Sequence, residues 1–171
     1  KPTGFIGQVS WPSGHKNTVF FKNLSLGTHF ISTKKIEKDT ISRFNILAED
    51  SLEVIQLVKK QSPDYLGYLE ECLNVPFILP PRMLANHGHQ ADLRLGIDCA
   101  ELAIYGRRRM GENIPYVGPR GIKDYLEKTD NVEVGVVLHF GFQVSVLYED
   151  RGKIGKIDEA DLLIHAYEDK A

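Results

Sequence analysis

The chain has 171 residues, of which 42% are hydrophobic and 26% charged, with a formal net charge of -2 at pH 7. This length suits one domain, or one domain with a small companion, and the apolar fraction is enough for a core. The near-neutral charge gives no electrostatic reason to expect a nucleic-acid partner, and no apolar run approaches the roughly 20 residues of a transmembrane segment.

The N-terminal stretch, residues 1–47, reads as a β-rich segment or small domain ahead of a main domain at 48–171. Within it "GFIGQVSW", "NTVFF" and "THFIST" are rich in β-branched and aromatic residues, and "PSGHKN" and "KNLSLG" break them with turn chemistry. His15 falls in a Gly/Ser/Pro loop and His29 in a strand, and neither has an evident partner, so both read as structural. In "AEDSLEVIQLVKKQ" the period changes: Leu52, Ile55 and Val58 recur every three residues, which predicts a helix. A second helix is expected over "SPDYLGYLEECLNVPF", with Ser62 as N-cap, Pro63 in the first turn and Cys72 in the core. "FILPPRMLANHGHQADLRLG" is a loop stopped by Pro80 and Pro81.

Asp98, a preferred N-cap type, opens the helix of "GIDCAELAIYGRRRMG". Cys99, Leu102, Ala103, Gly106 and Met110 share one small or apolar face, which should press on a sheet or another helix. Gly106 costs about 1 kcal/mol of helix stability, so close packing is expected there. Arg107 to Arg109 read as a solvated helix face. "GPRGIKDYLEKT" predicts a short helix after Gly121. "VEVGVVLHF" and "FQVSVLYED" read as a hairpin split near Gly141, and "ADLLIHAYED" as a third strand. If Gly141 and Phe142 form a two-residue loop, Phe140 pairs with Gln143 and His139 faces the other side. Strands and helices segregate along the chain, so the expected class is α+β.

Neither cysteine has metal-type spacing, two cysteines make no disulfide framework, and no metal or other cofactor is expected. Cys99 at a helix start invites a chemical reading. The thiolate is the reactive form, and the unsatisfied N–H groups and partial positive charge of a helix N-terminus should lower its pKa. The same N–H groups can steady an oxyanion, and a histidine from elsewhere must hold the proton. Candidates are His139, His165, and the loop pair His87 and His89, which are also free simply to bind water.

From about Pro63 onward the order of motifs resembles the NlpC-type bacterial cell-wall cysteine peptidases, a family with a papain-like fold. That family has a "GVPY" stretch after a helix, "DCSG" at a helix start, an "LP" segment, a strand pair carrying "GD" and "HV", and a last strand ending in "HA". Here stand "LNVPFIL" at Leu73 to Leu79, "GIDCAELAIYGRRRMG", "NIPYVG" at Asn113 to Gly118, "FGFQVSVLY" at Phe140 to Tyr148 and "LIHA" at Leu163 to Ala166. The resemblance implies that Cys99 is the nucleophile and His165 the polar member that orients the base. Gln143 stands at the base position, where the family has histidine, and glutamine takes no proton at neutral pH. Family substrate contacts map to Phe77, Asp98, Ala100 and Glu101. Phe77 replaces the tyrosine of "VPY", Ala100 and Glu101 replace Ser-Gly, and Val136 replaces the aspartate of "GD".

The implied reaction is acyl transfer from a peptide amide to the thiol, then hydrolysis, on a peptide or peptidoglycan-fragment substrate. The implied compartment is periplasmic or extracellular. Two other readings remain: a catalytically inactive papain-like module binding a peptide or glycan, and a structural partner domain joined through its β-rich N-terminus.

Overall fold

A computed structural model describes residues 23–32, 54–84 and 88–167. The expected strands "GFIGQVSW" and "NTVFF", together with His15 and His87, lie outside these residues. The described elements are mixed α and β, with small antiparallel sheets and few helices.

Strand β1 (Gly27–Ser32) pairs antiparallel with β2 (Val54–Lys59), from Gly27 opposite Lys59 to Ser32 opposite Val54. The β2 segment corrects the helix expected there. Period three over three positions is a short signal, and Val54, Ile55 and Val58 are β-branched residues that suit a pleated strand. Thr28 ties this pair to the main body, its N–H donating to the Leu73 carbonyl (2.9 Å) and its hydroxyl to that of Glu71 (2.6 Å).

Helix α1 (Tyr65–Glu70) starts two residues later than the Ser62 cap predicts. Asp64 is the N-cap, accepting from the Gly67 N–H (2.9 Å), while the Ser62 hydroxyl donates to Asp64 (2.6 Å) and braces the cap. Cys72, just beyond the helix, is buried in the core as expected. A two-residue antiparallel pair, β3 (Met83–Leu84) with β4 (Gly88–His89), interrupts the stretch read as loop.

Helix α2 (Cys99–Arg109) forms as expected, with the Asp98 carboxylate accepting from the Glu101 N–H (2.8 Å). It lies in the core with α1, touching the sheet of β5 (Val137–His139), β6 (Val144–Glu149) and β7 (Leu162–Ile164) through Val144, Val146 and Ile164. The hairpin forms with Gly141 and Phe142 as its two-residue loop: Phe140 N–H donates to the Gln143 carbonyl (2.8 Å) and His139 stands opposite Val144. Gly141 supplies the positive φ (85°) that such a turn needs at its first position. The strand before it is shorter than expected, because Val134 and Gly135 turn the chain. The helix after Gly121 is a single 3₁₀ turn, Ile122–Asp124.

Of the apolar α2 face, Cys99, Leu102, Ala103 and Gly106 are buried, but Met110 at the C-cap is half exposed. Arg107 to Arg109 are not simply solvated. Their guanidinium groups cover the rings of Tyr65, Tyr116 and Tyr68 at 5.0, 4.7 and 5.1 Å. Gly106 is where α1 comes closest: a Cβ there would stand 2.6 Å from the Tyr65 ring and 2.8 Å from Leu69 Cδ2. Gly106→Ala therefore destabilises despite the better helix propensity of alanine, by about 1–3 kcal/mol of overpacking less about 1 kcal/mol of propensity. Urea unfolding checks this; a more stable alanine variant would contradict the packing.

Candidate functional site

Cys99 is the first residue of α2 and is 6% exposed. It packs in one buried cluster with Val144, the first residue of β6. The thiol pKa is raised, not lowered. Burial is the largest cause and the Asp98 carboxylate adds to it, outweighing the lowering effect of the Val144, Ala100 and Cys99 backbone. This corrects the activation expected from the helix terminus. The N-cap that ends the orphaned N–H groups also brings a carboxylate to the same place, so the terminal positive charge is largely spent on Asp98. Alkylation of Cys99 in the resting protein is accordingly slower below pH 8.5 than that of a free thiol, with its half-point displaced to higher pH. Cys72 is pushed far higher by burial and stays inert in that assay. Iodoacetamide labelling followed peptide by peptide reads both; a Cys99 half-point below that of a free thiol would contradict this environment.

Gln143 directly precedes Val144. Its amide donates to the Ala166 carbonyl (3.4 Å) and to the Val144 carbonyl (3.2 Å), so it spans from β6 to the residue after His165. His165 follows the last residue of β7, is exposed, and its ring lies 6.4 Å from that of Tyr167. Ile164 before it lies in the core and Ala166 after it packs against the same core, so the alternation continues and the exposed His165 side chain faces away from the side that holds Cys99. The backbones of Cys99, Gln143 and His165 thus stand at one end of the sheet, at the start of α2, just before β6 and just after β7. Among the described residues, no hydrogen bond joins His165 to Cys99 or Gln143.

His139 is occupied elsewhere. Its Nε2 lies 2.7 Å from the Pro119 carbonyl and its Nδ1 accepts from the Gly141 N–H (3.0 Å), which ties the 118–121 loop to the hairpin. His29 Nε2 binds the Ser25 carbonyl (2.9 Å), a structural role as expected. Phe77 is half-buried and bridges Ile97 in parallel; Ile78 N–H donates to Ile97 (3.1 Å) and Ile97 N–H to Pro76 (3.1 Å). These bonds lay Phe77 beside the segment that enters α2. Ala100 is fully buried.

Glu101 has surroundings that the sequence did not disclose. It is 5% exposed, one carboxyl oxygen has no hydrogen-bond partner, and the other lies 3.8 Å from His89 Nε2. His89 stacks on Tyr116 (ring centroids 4.2 Å apart, planes at 20°), and Tyr116 donates to Asp92 (2.6 Å), which also receives Arg108. Burial, then Asp98 and Asp92, push the Glu101 carboxyl up to about 8, while burial lowers His89. Both groups are thus neutral at pH 7, and their contact is not an ion pair there. A folded pKa raised above the unfolded value means stability that is fully present below pH 4.5 and lost as pH rises toward 8. Glu101→Gln therefore matches the wild type at pH 4.5 and exceeds it at pH 8.5, by an amount on the order of 1–3 kcal/mol after solvent screening. Denaturant midpoints at the two pH values test this; an equal gap at both would refute it.

Among the described residues no group of three or more His, Cys, Asp or Glu side chains is placed to hold a metal ion, and no helix is long and apolar enough to cross a membrane. Comparison with known proteins gives no match to a family model, to a curated protein or to a solved structure.

Proposed function

We propose that the chain is a papain-like cysteine peptidase or amidase, acting on an amide bond of a peptide or peptidoglycan stem peptide. The observation that supports this reading is the approach of the Cys99, Gln143 and His165 backbones at one end of the sheet, where Cys99 packs with Val144 and the Gln143 amide donates to Ala166. In this mechanism His165 takes the Cys99 proton and the thiolate attacks the substrate carbonyl. His165 then returns the proton to the leaving amine, and water releases the acyl group. Gln143 orients the imidazole by hydrogen bonding, since it can donate and accept but not titrate at neutral pH. Because the resting thiol is neutral, the proton moves only once substrate has displaced water and His165 has turned to the sulfur.

The raised thiol pKa and the glutamine at the base position favour a second reading, a non-catalytic module that holds a peptide in the same place. Incubation with soluble peptidoglycan fragments and mass spectrometry of the products separates the two. The hydrolase cleaves an amide and Cys99→Ala does not. The binding module leaves every fragment intact while still retaining it.

A further inference from the structure

Beside this end of the sheet lies an open cleft of about 330 Å³, lined by Gly118, Pro119, Arg120, Gly121 and Phe142. It is shallow and largely open to solvent, so it offers a surface for one or two side chains and does not enclose a ligand. Phe142 is in the hairpin loop next to Gln143 and is 77% exposed, the largest exposure of any aromatic residue described. Pro119 is held against the hairpin by the His139 contact, so the two walls of the cleft are fixed to each other. At Gly118 a Cβ would meet nothing within 4 Å, which leaves that backbone open to an approaching ligand. Arg120 brings the only formal charge to the lining. Arg107, Arg108 and Arg151 are paired with Glu112, Asp92 and Glu149, whereas among the described residues no carboxylate pairs with Arg120. The cleft thus offers one guanidinium that no carboxylate of the described residues pairs with, one bare aromatic ring and accessible glycine backbone.

We infer that this cleft binds a carboxylate with a neighbouring apolar group on a peptide ligand, the carboxylate on Arg120 and the apolar group on Phe142. Guanidinium and carboxylate match in charge and in planar, two-point hydrogen bonding, and the ring provides the apolar contact. That the ligand is a peptide rests on the hydrolase reading; the carboxylate chemistry rests on the cleft alone. A carboxylate of this kind comes from a peptide C-terminus or from an acidic side chain.

The test is an NMR titration of the full-length Cys99→Ala protein, which reads binding without turnover. The probes are N-acetyl-alanyl-leucine, its C-terminal amide, and N-acetyl-leucyl-glutamic acid α-amide. At least one acid should bind about tenfold more tightly than the neutral amide, with shifts at residues 118–121 and 142. The tighter acid identifies the source of the carboxylate. Arg120→Gln should erase the preference for acid, and Phe142→Ser should weaken all three probes; both replaced side chains are exposed, so the fold survives. Equal binding of acids and amide, shifts confined to other residues, or a preference that survives Arg120→Gln would overturn the inference. Failure of the hydrolase reading shows separately, as uncleaved substrate in the wild type.

Discussion

If the chain is the proposed hydrolase, Cys99→Ala is expected to reduce amide hydrolysis to background, a loss on the order of 10⁴-fold or more, because no other thiol in the described core can replace the nucleophile. Cys72, the second cysteine, is buried and its thiol is held strongly neutral. His165→Ala costs about 10²–10⁴-fold, the usual contribution of a positioned acid–base group. Gln143→Ala costs less, about tenfold, since it removes an orienting amide and leaves the proton carrier in place. The order Cys99, His165, Gln143 in turnover number is the expected result, measured as product formation by mass spectrometry. A larger loss at Gln143 than at His165 would contradict the assignment of the base.

Glu71→Ala lowers folding stability by about 1–3 kcal/mol, since it removes the buried carboxylate that several partly exposed cations and the Tyr105 hydroxyl share. The Glu71 carboxylate receives Lys60 (2.7 Å) and the Tyr105 hydroxyl (2.5 Å), with Arg94 at 3.5 Å and Arg109 at 3.7 Å. Arg94 continues the network to Tyr105 (2.9 Å) and Gln56 (2.9 Å). One carboxylate therefore joins the end of β2, the turn before α2, and α2 itself. Burial alone would raise its pKa, but the Lys60 and Tyr105 hydrogen bonds and the Arg109 and Lys60 charges outweigh it and hold the carboxyl low. The sign follows: a depressed folded pKa gives stability present above the unfolded value near 4.5 and lost as pH falls through the folded value. The gap between wild type and variant should therefore be full at pH 7 and shrink below about pH 4.5. Chemical denaturation at pH 7 and pH 3.5 measures it, and a gap that grows in acid would contradict this account.

The parts of the fold legible in the sequence are those set by local backbone chemistry. Asp98 caps α2 because its side-chain oxygen reaches an orphaned N–H. Gly106 marks the α1 contact because nothing larger fits. Gly141 makes the two-residue hairpin because its φ is positive. Where the structure departs from the sequence expectation, two local explanations compete. Leu52, Ile55 and Val58 fit a helical period, but β-branched Val54, Ile55 and Val58 pair with β1. Ser62 and Asp64 are both good caps, and the structure uses Asp64, with Ser62 behind it.

At the candidate site the position of Cys99 was legible, but not its ionisation. Burial and the Asp98 charge outweigh the backbone dipoles of the helix terminus. The Glu101 environment was hidden for a similar reason. An acidic residue three places after an N-cap reads as a capping-box member, and only tertiary packing against His89 shows that it is buried with an unpartnered oxygen.

The central claim, that Cys99 is a nucleophile toward an amide carbonyl, is tested most directly by acid-quenched mass spectrometry of the Cys72→Ala protein during incubation with soluble peptidoglycan fragments. The account predicts a transient acyl adduct on the peptide that carries Cys99, absent in the Cys99→Ala protein and matched by a released amine product. No adduct on Cys99 and intact fragments at every pH tested would contradict it.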